Sequence, residues 1–72
     1  RMLAYEAERA RIELEQAESA YQQACRDFEQ APTQNNNLTR FRRAADWVRY
    51  RSDYVDVVAL KWRRLDENTF TN

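Results

Sequence analysis

The sequence predicts an all-α protein, an antiparallel two-helix hairpin with coiled-coil packing. First, its 72 residues include no glycine and one proline, and this composition favours helices because many loops need glycine at positive φ. Second, apolar residues recur at alternating steps of three and four on both sides of Pro32, which is the period of a helix. Third, a short polar stretch at 32–37 separates the two patterns, and a connection of that length makes neighbouring helices antiparallel.

The first predicted helix, from about residue 2 to 30, has the more regular apolar pattern. Large residues recur every seven positions at Leu14, Tyr21 and Phe28, with alanines between them. The full seam is Leu3, Ala7, Ala10, Leu14, Ala17, Tyr21, Ala24, Phe28 and Ala31. Such a seam is typical of a helix packed closely along its length against a partner helix. Pro32 disfavours a helical Ala31, so the helix is expected to end there.

The second predicted helix runs from about residue 38 to 65, between a loop at 31–37 and a tail at 66–72. Asn36 or Asn37 is the expected N-cap. This helix has two apolar seams, displaced from each other by one residue. The first seam is Leu38, Phe41, Ala45, Val48, Ser52, Val55, Ala59 and Trp62. The second is Ala44, Trp47, Arg51, Tyr54, Val58, Lys61 and Leu65, widened by Tyr50 and Val57.

The first seam of helix 2 matches the seam of helix 1 layer by layer when the chain is folded at the loop. The predicted small layers are Ala24 with Ala45, Ala17 with Ser52 and Ala10 with Ala59; the large ones are Phe28 with Phe41, Tyr21 with Val48 and Leu14 with Val55. Small layers let two helices approach closely and large layers fill the gaps. Residues 1–31 carry a net charge of −3 and residues 38–65 one of +5, which suits helices lying side by side.

The second seam of helix 2 then has no partner within the chain, and it is the predicted site. Its interface residues are Ala44, Trp47, Tyr54, Val58 and Leu65. A contiguous apolar-aromatic strip marks an interaction surface. A chain with one cysteine and no histidine cannot use an intrachain disulfide or a Cys/His zinc site to support a small core. We therefore expect a homodimer that forms a four-helix bundle, with a different helical protein as the alternative partner.

The favoured function is a non-enzymatic interaction module, such as a small adaptor, a chaperone-like protein or a regulatory subunit. The acidic and basic side chains are spaced as solvated helix faces, so no enzyme, cofactor, metal or small-molecule substrate is predicted. The sequence has no apolar run long enough for a membrane span and no signal-peptide pattern. Together with the single cysteine, this favours a cytoplasmic protein.

An RNA- or DNA-binding regulator is the first alternative. Its contact residues would be Arg40, Arg42, Arg43 and Arg49. Arginine neutralises phosphate, and neighbouring aromatic residues stack on bases. The competing interpretation is that these arginines balance the acidic helix 1, and a net charge of zero favours it.

A short helical hairpin that dimerises into a bundle with small and large layers is similar in architecture to the Rop family of plasmid-encoded RNA-binding regulators. That resemblance implies RNA contact through one face of the bundle. A further alternative is a structural coiled-coil segment cut from a longer protein, since the sequence starts at Arg1 rather than at a methionine.

Overall fold

The fold is a two-helix hairpin, seen in a computed structural model that describes the backbone of residues 2–71 and the side chains of residues 5–64. Helix α1 spans Met2–Gln30 and helix α2 spans Gln34–Thr71. The helices run antiparallel, since Phe28 near the end of α1 lies beside Arg40 near the start of α2. The described backbone contains no strand, so the all-α hairpin is confirmed.

The turn between the helices is shorter than predicted, because only Ala31, Pro32 and Thr33 lie outside a helix. Thr33 is the N-cap of α2: its Oγ1 accepts a hydrogen bond of 3.1 Å from the backbone N–H of Asn36. Its carbonyl accepts the first helical bond, 3.0 Å long, from Asn37. Threonine satisfies an otherwise unpaired N–H three residues on, so the predicted cap at Asn36 or Asn37 is wrong.

Asn36 closes the end of α1 instead. Its side-chain amide donates hydrogen bonds to the carbonyl of Ala31 at 2.9 Å and to that of Asp27 at 3.4 Å. The same two carbonyls also accept backbone hydrogen bonds, that of Asp27 from Ala31 and that of Ala31 from Thr33, so Asn36 adds a second bond to each. The turn is therefore tied together from both sides.

The seam of α1 faces α2 as predicted between Ala7 and Phe28, the part of it whose side chains are described within the helix. Its most deeply buried residues are Ala10, Ala17 and Ala24, which retain 8%, 8% and 4% of their exposure. The large residues Leu14, Tyr21 and Phe28 are half-buried. The buried part of the described chain thus consists of small side chains, with larger ones closing over its edges.

The packed face of α2 differs from the prediction. The half-buried apolar residues of this helix are Ala44, Trp47, Tyr50, Tyr54, Val57 and Val58. Tyr21 stacks on Trp47, where Val48 was expected. A shift of one residue turns a helix by about 100°. The second seam therefore faces α1 through its apolar residues from Ala44 to Val58, while the first seam is exposed.

The small residues of α1 explain this choice. A face lined by Ala10, Ala17 and Ala24 leaves room for large side chains from the partner helix. Trp47 and Tyr54 offer far more apolar area than Val48 and Val55, and burial contributes roughly 25 cal/mol per Å². Packing the aromatic seam inward therefore buries more surface than packing the valine seam.

Salt bridges between the described side chains are formed within each helix rather than across the hairpin. Arg11 pairs with Glu8 and with Glu15, the latter at 2.7 Å. Its guanidinium lowers the pKa of Glu8 through a hydrogen bond and its charge. The opposite net charges of the two helices thus form no direct ion pair across the hairpin among the described side chains.

Helix α2 continues to Thr71, past the predicted end near residue 65. No glycine or proline follows Pro32, so nothing in the sequence interrupts the helix. The side chains of Leu65 and of residues 66–71 lie outside the described ones.

Candidate functional site

A line of exposed apolar residues runs along α2, and we call it the outer strip. Its large members are Leu38, Phe41, Val48, Val55 and Trp62, with the smaller Ala45, Ser52 and Ala59 between them. Phe41, Val48 and Trp62 are each more than 60% exposed. Isolated apolar residues on a surface are ordinary, but a contiguous strip marks an interaction site.

The outer strip lies to one side of the face of α2 that packs on α1. Its members follow one another at steps of three and four, so they form a row about 36 Å long that drifts around the helix by only about 20° per seven residues. Val48 and the half-buried Tyr50 are two residues apart, which is about 200° around the helix. The strip is therefore open to a second helix while α1 stays in place.

The residues predicted to meet a partner lie elsewhere on the helix. Trp47 stacks on Tyr21 with ring centroids 5.3 Å apart. Ala44, Tyr54 and Val58 are half-buried on the same side of α2. α1 already covers part of this surface, so the outer strip is the larger free apolar surface. Contact of these four residues with a partner stays a prediction, and the side chain of Leu65 lies beyond the described ones.

Arg40 belongs to the hairpin junction. Its guanidinium lies over the ring of Phe28, 4.1 Å from the centroid, and at 5.9 Å from that of Phe41. It also donates a hydrogen bond of 2.6 Å to Oδ1 of Asn37. A cation held over an aromatic face contributes to packing, so this arginine has a structural role at the closed end of the hairpin.

The other predicted arginines do not form one basic surface with Arg40. Arg43 and Arg49 both pair with Asp46, at 3.4 and 3.7 Å, and Arg49 also lies over Tyr50. Arg42 is exposed and forms no ion pair with another described side chain. Nucleic-acid contact stays a prediction, and its four arginines are divided between different environments.

Tyr21 and Cys25 form a second polar feature on α1. Cys25 raises the pKa of Tyr21 through a side-chain hydrogen bond and its charge, burial adds to this rise, and the positive charge of Arg40 opposes it. Cys25 is half-buried. The pair lies on the packed side of α1, beside Trp47, and gave no distinct signal in the sequence because both residues fit an ordinary helical face.

The grooves between the helices offer little chemistry. One open groove of about 290 Å³ is lined mainly by polar side chains, including Glu13, Arg43 and Asp46. Arg43 and Asp46 already pair with each other. No group of three side chains suited to hold a metal ion occurs in the described part of the chain. In the described residues, neither helix has an apolar stretch long enough to cross a membrane.

No protein-family model, curated protein or solved structure matches the chain.

Proposed function

We propose that the protein is a non-enzymatic protein–protein interaction module that binds a partner helix along the outer strip. The supporting observation is the strong exposure of Phe41, Val48 and Trp62 on one line of α2. Apolar anchors at steps of three, four and seven are how a helix is recognised by another helix. In this role the module serves as an adaptor, a chaperone-like protein or a regulatory subunit.

The thin interior of the hairpin supports the same proposal. The most deeply buried apolar residues of its described part are three alanines. A small domain buries a low fraction of its surface and is marginally stable alone. A partner helix on the outer strip would cover several large side chains at once, and two of them, Phe41 and Trp62, are of the aromatic kind that anchors interfaces.

A designed helical peptide provides the test of this proposal. The probe is a fluorescently labelled amphipathic peptide of four heptads, with alanine and leucine alternating along one face. Its fluorescence anisotropy should rise on binding to the wild type. Val48→Asp should weaken binding at least tenfold, because it places a charge in the centre of the apolar strip.

Ile12→Asp is the matched control, since Ile12 is an exposed aliphatic residue on α1. It should bind the peptide like the wild type, and circular dichroism should show equal helix content in all three proteins. Equal peptide affinity for the wild type and Val48→Asp would rule out the outer strip as the binding surface.

Nucleic-acid binding is the second candidate, because the exposed Arg42 lies next to the exposed Phe41. The test is binding of a labelled mixed-sequence RNA at 50 and 200 mM salt. A nucleic-acid binder would lose affinity steeply as the salt concentration rises and would be weakened by Arg42→Ala. Absence of RNA binding at 50 mM salt would remove this candidate. The proposal of peptide binding by the outer strip does not depend on that outcome.

A further inference from the structure

We infer that the partner helix is the α2 helix of a second copy of this chain, bound antiparallel along the outer strip with a two-fold axis at the level of Tyr50. This inference rests on the proposed function and names its partner. Three features of α2 support it: the order of large and small residues, the charges beside them, and the position of α1 on another side of the helix.

The order of residues makes the outer strip complementary to itself. The two-fold axis is perpendicular to the helices at residue 50. A residue that lies a given number of positions before residue 50 in one copy is therefore level with the residue that lies equally far after it in the other copy. The pairs are Phe41 with Ala59, Ala45 with Val55, Val48 with Ser52 and Leu38 with Trp62. Three of the four pairs place a large side chain opposite a small one, so the two helices can approach evenly along the strip.

A parallel pairing of the same two helices would pack less well. Each residue would then lie opposite its own copy, so Phe41 would face Phe41 and Ala45 would face Ala45. Large layers would hold the helices apart while small layers left voids, and voids in an interface lose contacts outright. The order of side chains thus selects the antiparallel arrangement.

One pair of charges beside the strip favours the same arrangement, whereas the exposed Arg49 and Arg51 each lie one residue from the axis and so near their own copies. Arg42 and Asp56 are exposed on one flank of the strip. The two-fold axis brings Arg42 of one copy within two residues of the level of Asp56 of the other, twice in each dimer. Arg49 approaches its own copy near the axis, but its guanidinium is directed to Asp46 at 3.7 Å. The apolar layers therefore supply the affinity, and Arg42 with Asp56 fixes the register.

The location of α1 leaves room for this dimer. α1 packs on the seam that contains Trp47 and Tyr54, and the outer strip is displaced from that seam by about 100°. Two α2 helices can therefore meet at the centre, each still covered by its own α1. All four helices then form one assembly in which the isologous contact is made by α2.

Cysteine pairing tests the direction of the two helices. Cys25→Ala removes the native thiol, and Ala45→Cys and Val55→Cys are then made as separate proteins with different masses. The two are mixed and equilibrated with reduced and oxidised glutathione. In the antiparallel dimer residue 45 lies opposite residue 55 of the other copy. The two copies of residue 45 are then about 15 Å apart along the direction of the helices, too far for a disulfide. Mass spectrometry should find the mixed disulfide at least tenfold over either self-disulfide.

A charge exchange tests the register. Arg42→Asp and Asp56→Arg should each weaken dimerisation several-fold in sedimentation equilibrium, because each places like charges beside the strip. The double variant should return to within about twofold of the wild type. A double variant as weak as the product of the two single effects would overturn the proposed register.

The outcomes separate this inference from the proposed function. A monomeric wild type at millimolar concentration, or predominant self-disulfides, would overturn the antiparallel dimer. The helical-peptide experiment would still decide whether the strip binds proteins. Dimers that Val48→Asp leaves intact, together with unchanged peptide binding, would overturn both.

Discussion

The rings of Tyr21 and Trp47 stack across the two helices, with centroids 5.3 Å apart and planes inclined by 19°. This contact fixes the side of α2 that meets α1. Val48 follows Trp47 directly in the sequence, so the same contact turns the seam that contains Val48 outward. Val48 is 63% exposed. One aromatic pair therefore determines both the interior of the hairpin and the surface left for a partner.

The two tryptophans should respond differently to the same substitution. In a Val48→Asp background, which we expect to be monomeric, Trp47→Ala should lower the free energy of unfolding by about 2–4 kcal/mol. Trp62→Ala should change it by less than about 0.5 kcal/mol, since an exposed side chain has little packing to lose. Urea unfolding followed by circular dichroism measures both. Equal losses would contradict the assignment of the two faces.

Removing the cap of α2 should destabilise the hairpin. Thr33→Ala should cost about 1 kcal/mol in urea unfolding, because it removes the oxygen that accepts from the N–H of Asn36. Thr33→Ser keeps that oxygen and should stay within about 0.5 kcal/mol of the wild type. If Thr33→Ser were as unstable as Thr33→Ala, the hydroxyl would not be the stabilising group.

Arg40 and Arg42 should separate structure from binding. Arg40→Ala should lower stability by about 1 kcal/mol, because it loses the contact with Phe28 and the hydrogen bond to Asn37. Arg42→Ala should leave the stability of the monomer within about 0.5 kcal/mol and weaken only the dimer. Thermal unfolding of both variants in the Val48→Asp background measures the two losses of stability. A larger loss for Arg42→Ala than for Arg40→Ala would refute the structural role of Arg40.

High pH should destabilise the hairpin partly through Tyr21. Its pKa lies above the ordinary value of 10.0, first because of the hydrogen bond to Cys25. The folded state thus holds this proton more tightly than the unfolded state. The resulting stabilisation is present below pH 10 and disappears as the pH rises through the higher pKa of the folded state.

Tyr21→Phe keeps the stacked ring but removes the titrating group. The stability of the variant should therefore fall less than that of the wild type between pH 9 and pH 12. Urea unfolding at several pH values measures this difference. Parallel curves for the two proteins would show that Tyr21 makes no contribution to the pH dependence.

The sequence predicts α1 and the hairpin well because they follow from local chemistry. Alanines at Ala10, Ala17 and Ala24 can form a long buried line only against a close helix, and the structure buries all three. The sequence predicts that α1 ends before Pro32, and in the structure it ends at Gln30. The cap was harder to place, because Thr33 and the three asparagines that follow it at 35–37 are all good capping residues.

The packed face of α2 could not be read from periodicity. Its two seams have the same spacing and differ by one residue, so each satisfies a heptad pattern equally. The choice depends on a rotation of about 100°, which is decided by how much aromatic area the alanine face of α1 can cover. The stack of Tyr21 on Trp47 depends on the side-chain volumes of both helices, and the spacing of residues within one helix does not reveal it.

Sedimentation equilibrium on the wild type, Val48→Asp and Ile12→Asp tests the central claim most directly, that the outer strip is a surface for a second α2 helix. We predict that the wild type and Ile12→Asp are dimers with equal affinity and that Val48→Asp is a folded monomer. A wild type that stays monomeric, or a Val48→Asp variant that dimerises as well as the wild type, would contradict it.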